Sequence, residues 1–181
     1  MRVIAGRFKG RRLKAPDWDG LRPTSDKLRE TLFNILAPRI EDARVLDGYA
    51  GTGAIGIEAL SRGAAHVTFV ERDRRAVSLV QSNLAACGAE QGYTIHHGDV
   101  ASVLRQLPQD AAFDLVLLDP PYQDEVMPAL DAAADRLAEN GTIVLERATR
   151  REPEAPPRLA RMRDVTSGDS TLTFFRRVRD E

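Results

Sequence analysis

The tetrad Asp119-Pro120-Pro121-Tyr122 collects the residue types needed to work on an exocyclic amine. Such an amine is a poor nucleophile because its lone pair is delocalised into the ring. The Asp119 carboxylate and the Pro120 carbonyl form a stiff pair of acceptors, since consecutive prolines hold the backbone extended and donate no hydrogen bond. Two acceptors draw the amine hydrogens toward tetrahedral geometry and restore the lone pair. Tyr122 can stack on the base that carries the amine, a contact worth about 1–3 kcal/mol. The bland alternative is a proline stop after a buried strand. Asp119, Pro120, Pro121 and Tyr122 are the candidate catalytic residues.

A second stretch, Val45 to Gly56, has the form of a nucleotide-binding corner: a short apolar run, an acid, a glycine turn and a helix start at Ile57. Gly51-x-Gly53-x-x-Gly56 matches the dinucleotide fingerprint, and Glu71 lies 20 residues beyond Gly51, where a ribose-binding acid is expected. Asp47 decides between cofactors. A carboxylate at the strand tip repels a pyrophosphate and attracts a cation. S-adenosylmethionine carries an ammonium and a sulfonium and no phosphate, so the acid favours it over NAD. A glycine turn with no ligand is the structural alternative.

Five candidate strands end on or just before an acid: Asp47, Glu71, Asp99, Asp119 and Glu146. Ligands of an open parallel sheet bind at the carboxyl ends of its strands. Glu71 is placed to accept from both ribose hydroxyls. Asp99 is placed to accept from the adenine amino group, with the Val100 N–H beside it. With Asp47, Gly48, Ala50, Gly51, Gly53, Arg72 and Asp119 they complete the expected cofactor set. Glu146 reads chiefly as a strand-end acid, with contact to substrate as the alternative. His66, His96 and His97 show no metal-ligand spacing, and Cys87 stands alone, so neither a cysteine-based metal site nor an intrachain disulfide can form.

The elements that must position these groups alternate along the chain. Strands are expected at 44–46, 65–70, 93–97, 113–118 and 141–145, and helices at 74–86, 102–107 and 127–138. That alternation implies a parallel, doubly wound α/β sheet. Continuous apolar runs such as Leu115-Val116-Leu117-Leu118 imply burial on both faces. Before the first strand, Pro23, Thr24 and Asp26 signal a helix start with Thr24 as the cap, and Leu28, Leu32, Ile35 and Leu36 recur at helical spacing. Pro38 is expected to help end this helix, which can roof the cofactor site. Two β-rich stretches, 158–165 and 171–178, flank Gly168-Asp169 and read as a terminal hairpin, giving seven strands in all.

The chain has 181 residues, 43% hydrophobic and 29% charged, with a net charge of -1. These values suit one soluble domain and exclude a polyanion binder built on overall charge. The average hides an asymmetry. Residues 1–16 hold Arg2, Arg7, Lys9, Arg11, Arg12 and Lys14 and no acid. An uncompensated block of one sign marks an interaction tail, here a phosphate-contacting hairpin or arm over residues 1–21, joined by Arg22. A solvated basic edge is the alternative. Residues 22–181 are expected to form the catalytic domain. No apolar run approaches the roughly 20 residues of a membrane helix. The absence of a signal-peptide pattern and the lone cysteine point to a cytoplasmic setting.

The chain resembles the bacterial 16S ribosomal RNA guanine-N2 methyltransferases (the RsmD family) over nearly its whole length. The resemblance rests on Arg2-Val3-Ile4-Ala5-Gly6, Gly10-Arg11-Arg12-Leu13, Arg22-Pro23-Thr24, Arg29-Glu30-Thr31-Leu32-Phe33-Asn34 and Gly56 to Ala64. Asp119-Pro120-Pro121-Tyr122 and Gly168-Asp169 agree, although the tetrad is shared with adenine amino-methylases. Ser167 stands where the family usually has tyrosine. The resemblance implies a Rossmann-like class I methyltransferase that uses S-adenosylmethionine on guanine N2 of 16S ribosomal RNA, in an assembling small subunit. It is expected to act as a monomer and without a metal. The competing readings are an adenine-N6 amino-methylase of DNA or RNA, an NAD-linked oxidoreductase, and a non-catalytic RNA-binding assembly factor.

Overall fold

The computed structural model describes residues 1–21 and 24–178. The chain opens as a small hairpin in which Val3 N–H donates to Arg11 O (3.0 Å), Gly10 N–H to Val3 O (2.9 Å) and Leu13 N–H to Met1 O (3.0 Å). Val3, Phe8 and Leu13 are buried beneath it. A helix, α1, follows over Asp26–Ile40. Its cap is Ser25, whose hydroxyl accepts from Leu28 N–H at 3.2 Å, and not Thr24, which turns toward the sheet. Pro38 does not stop the helix. Proline removes one backbone donor, and that loss is tolerated in the last turn while Ile40 anchors the end in the core.

Strands and helices then alternate: β1 Arg44–Gly48, α2 Ala54–Ser61, β2 His66–Glu71, α3 Arg74–Cys87, β3 Tyr93–His97, α4 Val100–Gln106, β4 Phe113–Leu118, α5 Met127–Asp135, β5 Leu137–Ala148, β6 Leu159–Ser167 and β7 Ser170–Arg177. The seven strands make one sheet in the order β3-β2-β1-β4-β5-β7-β6. The first five are parallel, and β7 is antiparallel to both of its neighbours. Strand order reverses between β1 and β4, which opens a crevice at their carboxyl ends.

Two apolar clusters cover the two faces. Val45, Leu115, Leu117 and Val144 point to the side of α1, α2 and the hairpin, and Leu46, Val116, Ile143 and Leu145 to the side of α4 and α5. Every residue of α2 is buried. This helix begins at Ala54 rather than Ile57, because Gly53 adopts the left-handed conformation (φ 79°) and caps it directly after the turn. Gly56 is needed for contact: a Cβ there would lie 2.9 Å from Val67 Cγ1 and closer still to the Phe69 ring. Helix α4 starts at Val100, capped by Asp99, where Ser102 was expected.

Other ends shift by one or two residues, and the larger changes concern β5. Helix α5 ends at Asp135, not Ala138, because Leu137 already pairs with Phe113 of β4. At the other end β5 continues past Leu145, held by the antiparallel register Glu146↔Leu172, Arg147↔Thr171 and Ala148↔Ser170. Glu146 is consequently inside a strand.

The hairpin is bolted to the sheet layer. The buried Glu58 carboxylate of α2 accepts from Ile4 N–H (2.8 Å), Ala5 N–H (3.0 Å) and Arg62 Nε (2.8 Å). Asn83 of α3, wholly buried, accepts from Lys14 N–H at 2.7 Å and donates to Lys14 O (3.2 Å) and Thr52 O (2.8 Å). One amide thus ties the exit of the basic hairpin to the glycine turn.

Candidate active site at the carboxyl ends of the strands

The glycine turn is shaped by two carboxylates. Asp47 Oδ2 accepts from Gly56 N–H at 2.8 Å, joining the end of β1 to the first turns of α2. Glu71 accepts from Gly51 N–H and Asp73 N–H, both at 2.9 Å, joining the end of β2 to the same turn. Tyr49 has a left-handed backbone (φ 64°), an uncommon state for a bulky residue and a mark of a loop held in shape by its surroundings.

A cleft of about 740 Å³ runs from this turn to the tetrad. At one end it is lined by Trp18, Leu21, Tyr49, Ala50, Gly51 and Glu71. At the other it is lined by Asp119, Pro120, Pro121, Tyr122, Glu146 and the β6–β7 turn. Thr24, Ser25 and Leu28 at the start of α1 also line it. Thr24 Oγ1 donates to Asp119 Oδ2 at 2.8 Å and stands 3.4 Å from Glu146 Oε2. Since Leu118 and Leu145 are register partners, the acids that follow them are brought side by side. Tyr122 is 39% exposed, and its hydroxyl meets Ser170 Oγ at 3.2 Å. Arg151 donates to the Tyr122 carbonyl. Arg72 forms an ion pair with Asp124 (2.9 Å), and the Arg75 guanidinium lies 4.9 Å from the centre of the Trp18 ring.

The cleft therefore brings together Ala50, Gly51, Glu71, Arg72 and the four tetrad residues. Asp47, Gly48, Gly53, Asp99 and Val100 lie outside its lining. Asp47 is buried beneath the turn and serves it from below. Gly48 packs against Val100. Asp99 is exposed and caps α4 through Ser102 N–H at 3.0 Å. Arg2, Arg7, Lys9, Arg11, Arg12 and Lys14 are all exposed, and no described carboxylate forms an ion pair with them. Arg22 lies outside the described residues. Sequence reasoning missed Thr24 as a partner of the tetrad, and also missed Trp18, Tyr49 and the β6–β7 turn as lining. Only the Arg22-Pro23-Thr24 match hinted at the first.

Electrostatics follow burial. Desolvation, chiefly, raises the Asp47 carboxyl well above the usual range, opposed by the Gly56 N–H and reinforced by Asp119 and Glu71. Burial, with Asp99 and Asp124 nearby, pushes the Tyr49 hydroxyl up to about 12. Burial also raises the Cys87 thiol, as suits an unreactive core residue. The cleft is walled by Glu71, Asp119 and Glu146, a set of acceptors that suits a cation better than a phosphate. It fits S-adenosylmethionine: Glu71 would face the ribose, the turn from Tyr49 to Gly51 the adenosine, and the acids its positive groups.

Comparisons with known proteins agree with this geometry. A family model described as Conserved hypothetical protein 95 matches residues 1–176. The chain is 41% identical over 146 residues to Ribosomal RNA small subunit methyltransferase D of Escherichia coli, covering 81% of this chain and 71% of that one. It is 37% identical over 182 residues to YlbH of Bacillus subtilis, provisionally named an rRNA methyltransferase, covering 98% and 99%. The solved structure of the E. coli protein YhhF superposes with a TM-score of 0.85 at 36% identity, covering 98% and 97%. Fold and cleft define a class I methyltransferase that takes its methyl group from S-adenosylmethionine. Within that class the chain belongs to the family of ribosomal RNA small subunit methyltransferase D.

Proposed function

We propose that this enzyme methylates the exocyclic N2 of a guanine in 16S ribosomal RNA, in the cytoplasm, as a monomer acting without a metal on an assembling small subunit. One observation carries the reading: the amine-gripping tetrad and the cofactor turn line a single cleft. The names of the relatives support a ribosomal substrate, and the exposed basic hairpin supports RNA.

When bound, S-adenosylmethionine supplies a methyl group made electrophilic by its sulfonium. The chain supplies position. Asp119 and the Pro120 carbonyl accept from the amine hydrogens and aim the nitrogen lone pair. Pro121 keeps that pair rigid, Tyr122 stacks on the base, and Thr24 fixes the rotamer of Asp119. Orientation of this kind can remove about 7–11 kcal/mol of a barrier when the reacting atoms are held in line. Drawing the base out of its stack costs a few kcal/mol unless it already lies in a loop.

The test is to incubate the protein with labelled S-adenosylmethionine and unmodified small-subunit particles, digest the RNA and identify the labelled nucleoside. N2-methylguanosine at one position is expected. Label on adenine N6 would retain the cleft chemistry and replace the base. Label on free RNA but not on particles would overturn the assembly-stage substrate.

A further inference from the structure

The tetrad grips an amine, but adenine and guanine both offer one. Their Watson–Crick edges differ at the neighbouring ring atom. Guanine N1 carries a hydrogen and donates, whereas adenine N1 is an acceptor. A site that takes guanine needs a third acceptor beside the pair that holds the amine, and a site that takes adenine must avoid one. Glu146 is the further acceptor beside Asp119. Glu146 is 8% exposed, lines the cleft with Asp119, and its carboxylate approaches the same Thr24 hydroxyl. It projects from inside β5, where pairing with Leu172 of β7 fixes its backbone.

We propose that Glu146 is the specificity-determining residue for guanine, accepting from N1–H while Asp119 and the Pro120 carbonyl accept from the two N2 hydrogens. The proposal deepens the guanine-N2 reading above and rests on it. Three acceptors then meet three donors along one edge. Against adenine, the Glu146 carboxylate would face the N1 lone pair with no hydrogen between them, leaving two buried acceptors opposed. No covalent step is assigned to Glu146. Its work is recognition, with Thr24 fixing Asp119 beside it.

The experiment uses a short RNA containing the mapped target nucleotide, either as guanine or as 2-aminopurine. The analogue keeps the N2 amine but has an acceptor at N1. Wild-type protein should prefer guanine in kcat/KM by roughly 10- to 100-fold, the scale of one well-placed base contact. In Glu146→Gln, whose amide can donate or accept, the preference should fall to a few-fold or invert. In Glu146→Asp, which keeps the charge, guanine should remain preferred at a lower rate. The analogue also lacks O6, so the change in ratio between wild type and Glu146→Gln isolates the contact at N1.

Equal use of both bases by wild type would overturn the proposal, even if Glu146→Gln failed to fold. So would an unchanged preference in a folded Glu146→Gln protein. Failure of wild type to methylate guanine N2 at all would overturn the functional reading instead, and the two failures are distinguishable in the same assay.

Discussion

Asp47 and Asp119 both lie at the carboxyl ends of parallel strands, yet one supports the glycine turn from below and the other lines the cleft. Asp47 is buried and bonded to Gly56 N–H, whereas Asp119 lines the cleft. Asp119→Ala should retain cofactor binding and lose roughly 10²-fold or more in turnover, the order expected for a positioned acceptor. Equilibrium binding and single-turnover rates separate the two effects. For Asp47 the folded value lies above the ordinary carboxyl value of 3.8, so its contribution to stability is full below that pH. It declines as pH rises through the raised folded value. Asp47→Asn, neutral throughout and still able to accept from Gly56, should flatten that part of the profile, read as Tm against pH. A slope identical to that of wild type would deny Asp47 this role. At this scale the sequence revealed residues whose chemistry is local, such as the tetrad. The Thr24 contact was hidden, because its partner lies 95 residues away and threonine before a helix reads first as a cap.

Helix α2 illustrates what periodicity can and cannot reveal. Its apolar run and glycine spacing marked a helix after a turn, but its first residue depended on the conformation of Gly53. The strands β3 and β4 were legible to the residue, and for β4 the reason is that a parallel strand buried on both faces is a nearly continuous apolar run between turn signals. The bounds of β5 were not, since its first pairing at Leu137 and its last at Ala148 are set by partners distant in sequence. Gly56 gives a test in which two effects oppose. Alanine is the better helix former by about 1 kcal/mol. Its Cβ, however, would press into Phe69 and Val67, and overpacking costs about 1–3 kcal/mol. Gly56→Ala should therefore destabilise, measured by denaturant unfolding. A gain in stability would mean that the Phe69 ring can move aside.

Over the whole molecule, charge is segregated. Many of the arginines outside the hairpin form ion pairs, among them Arg44, Arg62, Arg147, Arg158 and Arg161, while the cations of the hairpin face solvent with no described carboxylate beside them. If those cations meet phosphates, Arg11→Ala with Arg12→Ala should weaken RNA binding. The dependence of log K on log salt should flatten by about 0.7–0.9 for each phosphate that is no longer neutralised. An unchanged slope in a filter-binding or anisotropy titration would leave the hairpin as a solvated edge. The basic composition was plain in the sequence. The rigidity was not, because it comes from Glu58 and Asn83, buried polar residues whose partners are backbone groups of the hairpin.

Strand β7 lies inside the sheet, between β5 and β6, and the turn that precedes it closes the tetrad end of the cleft. A chain emerging from the ribosome presents the hairpin and the cofactor turn long before Ser170 is made. Until then β5 is an open edge, Glu146 has no strand to hold it, and Tyr122 lacks its partner hydroxyl. The basic surface is thus encoded at one end of the chain and the closing wall of the cleft at the other. Completion of the cleft waits for the last strand of the chain.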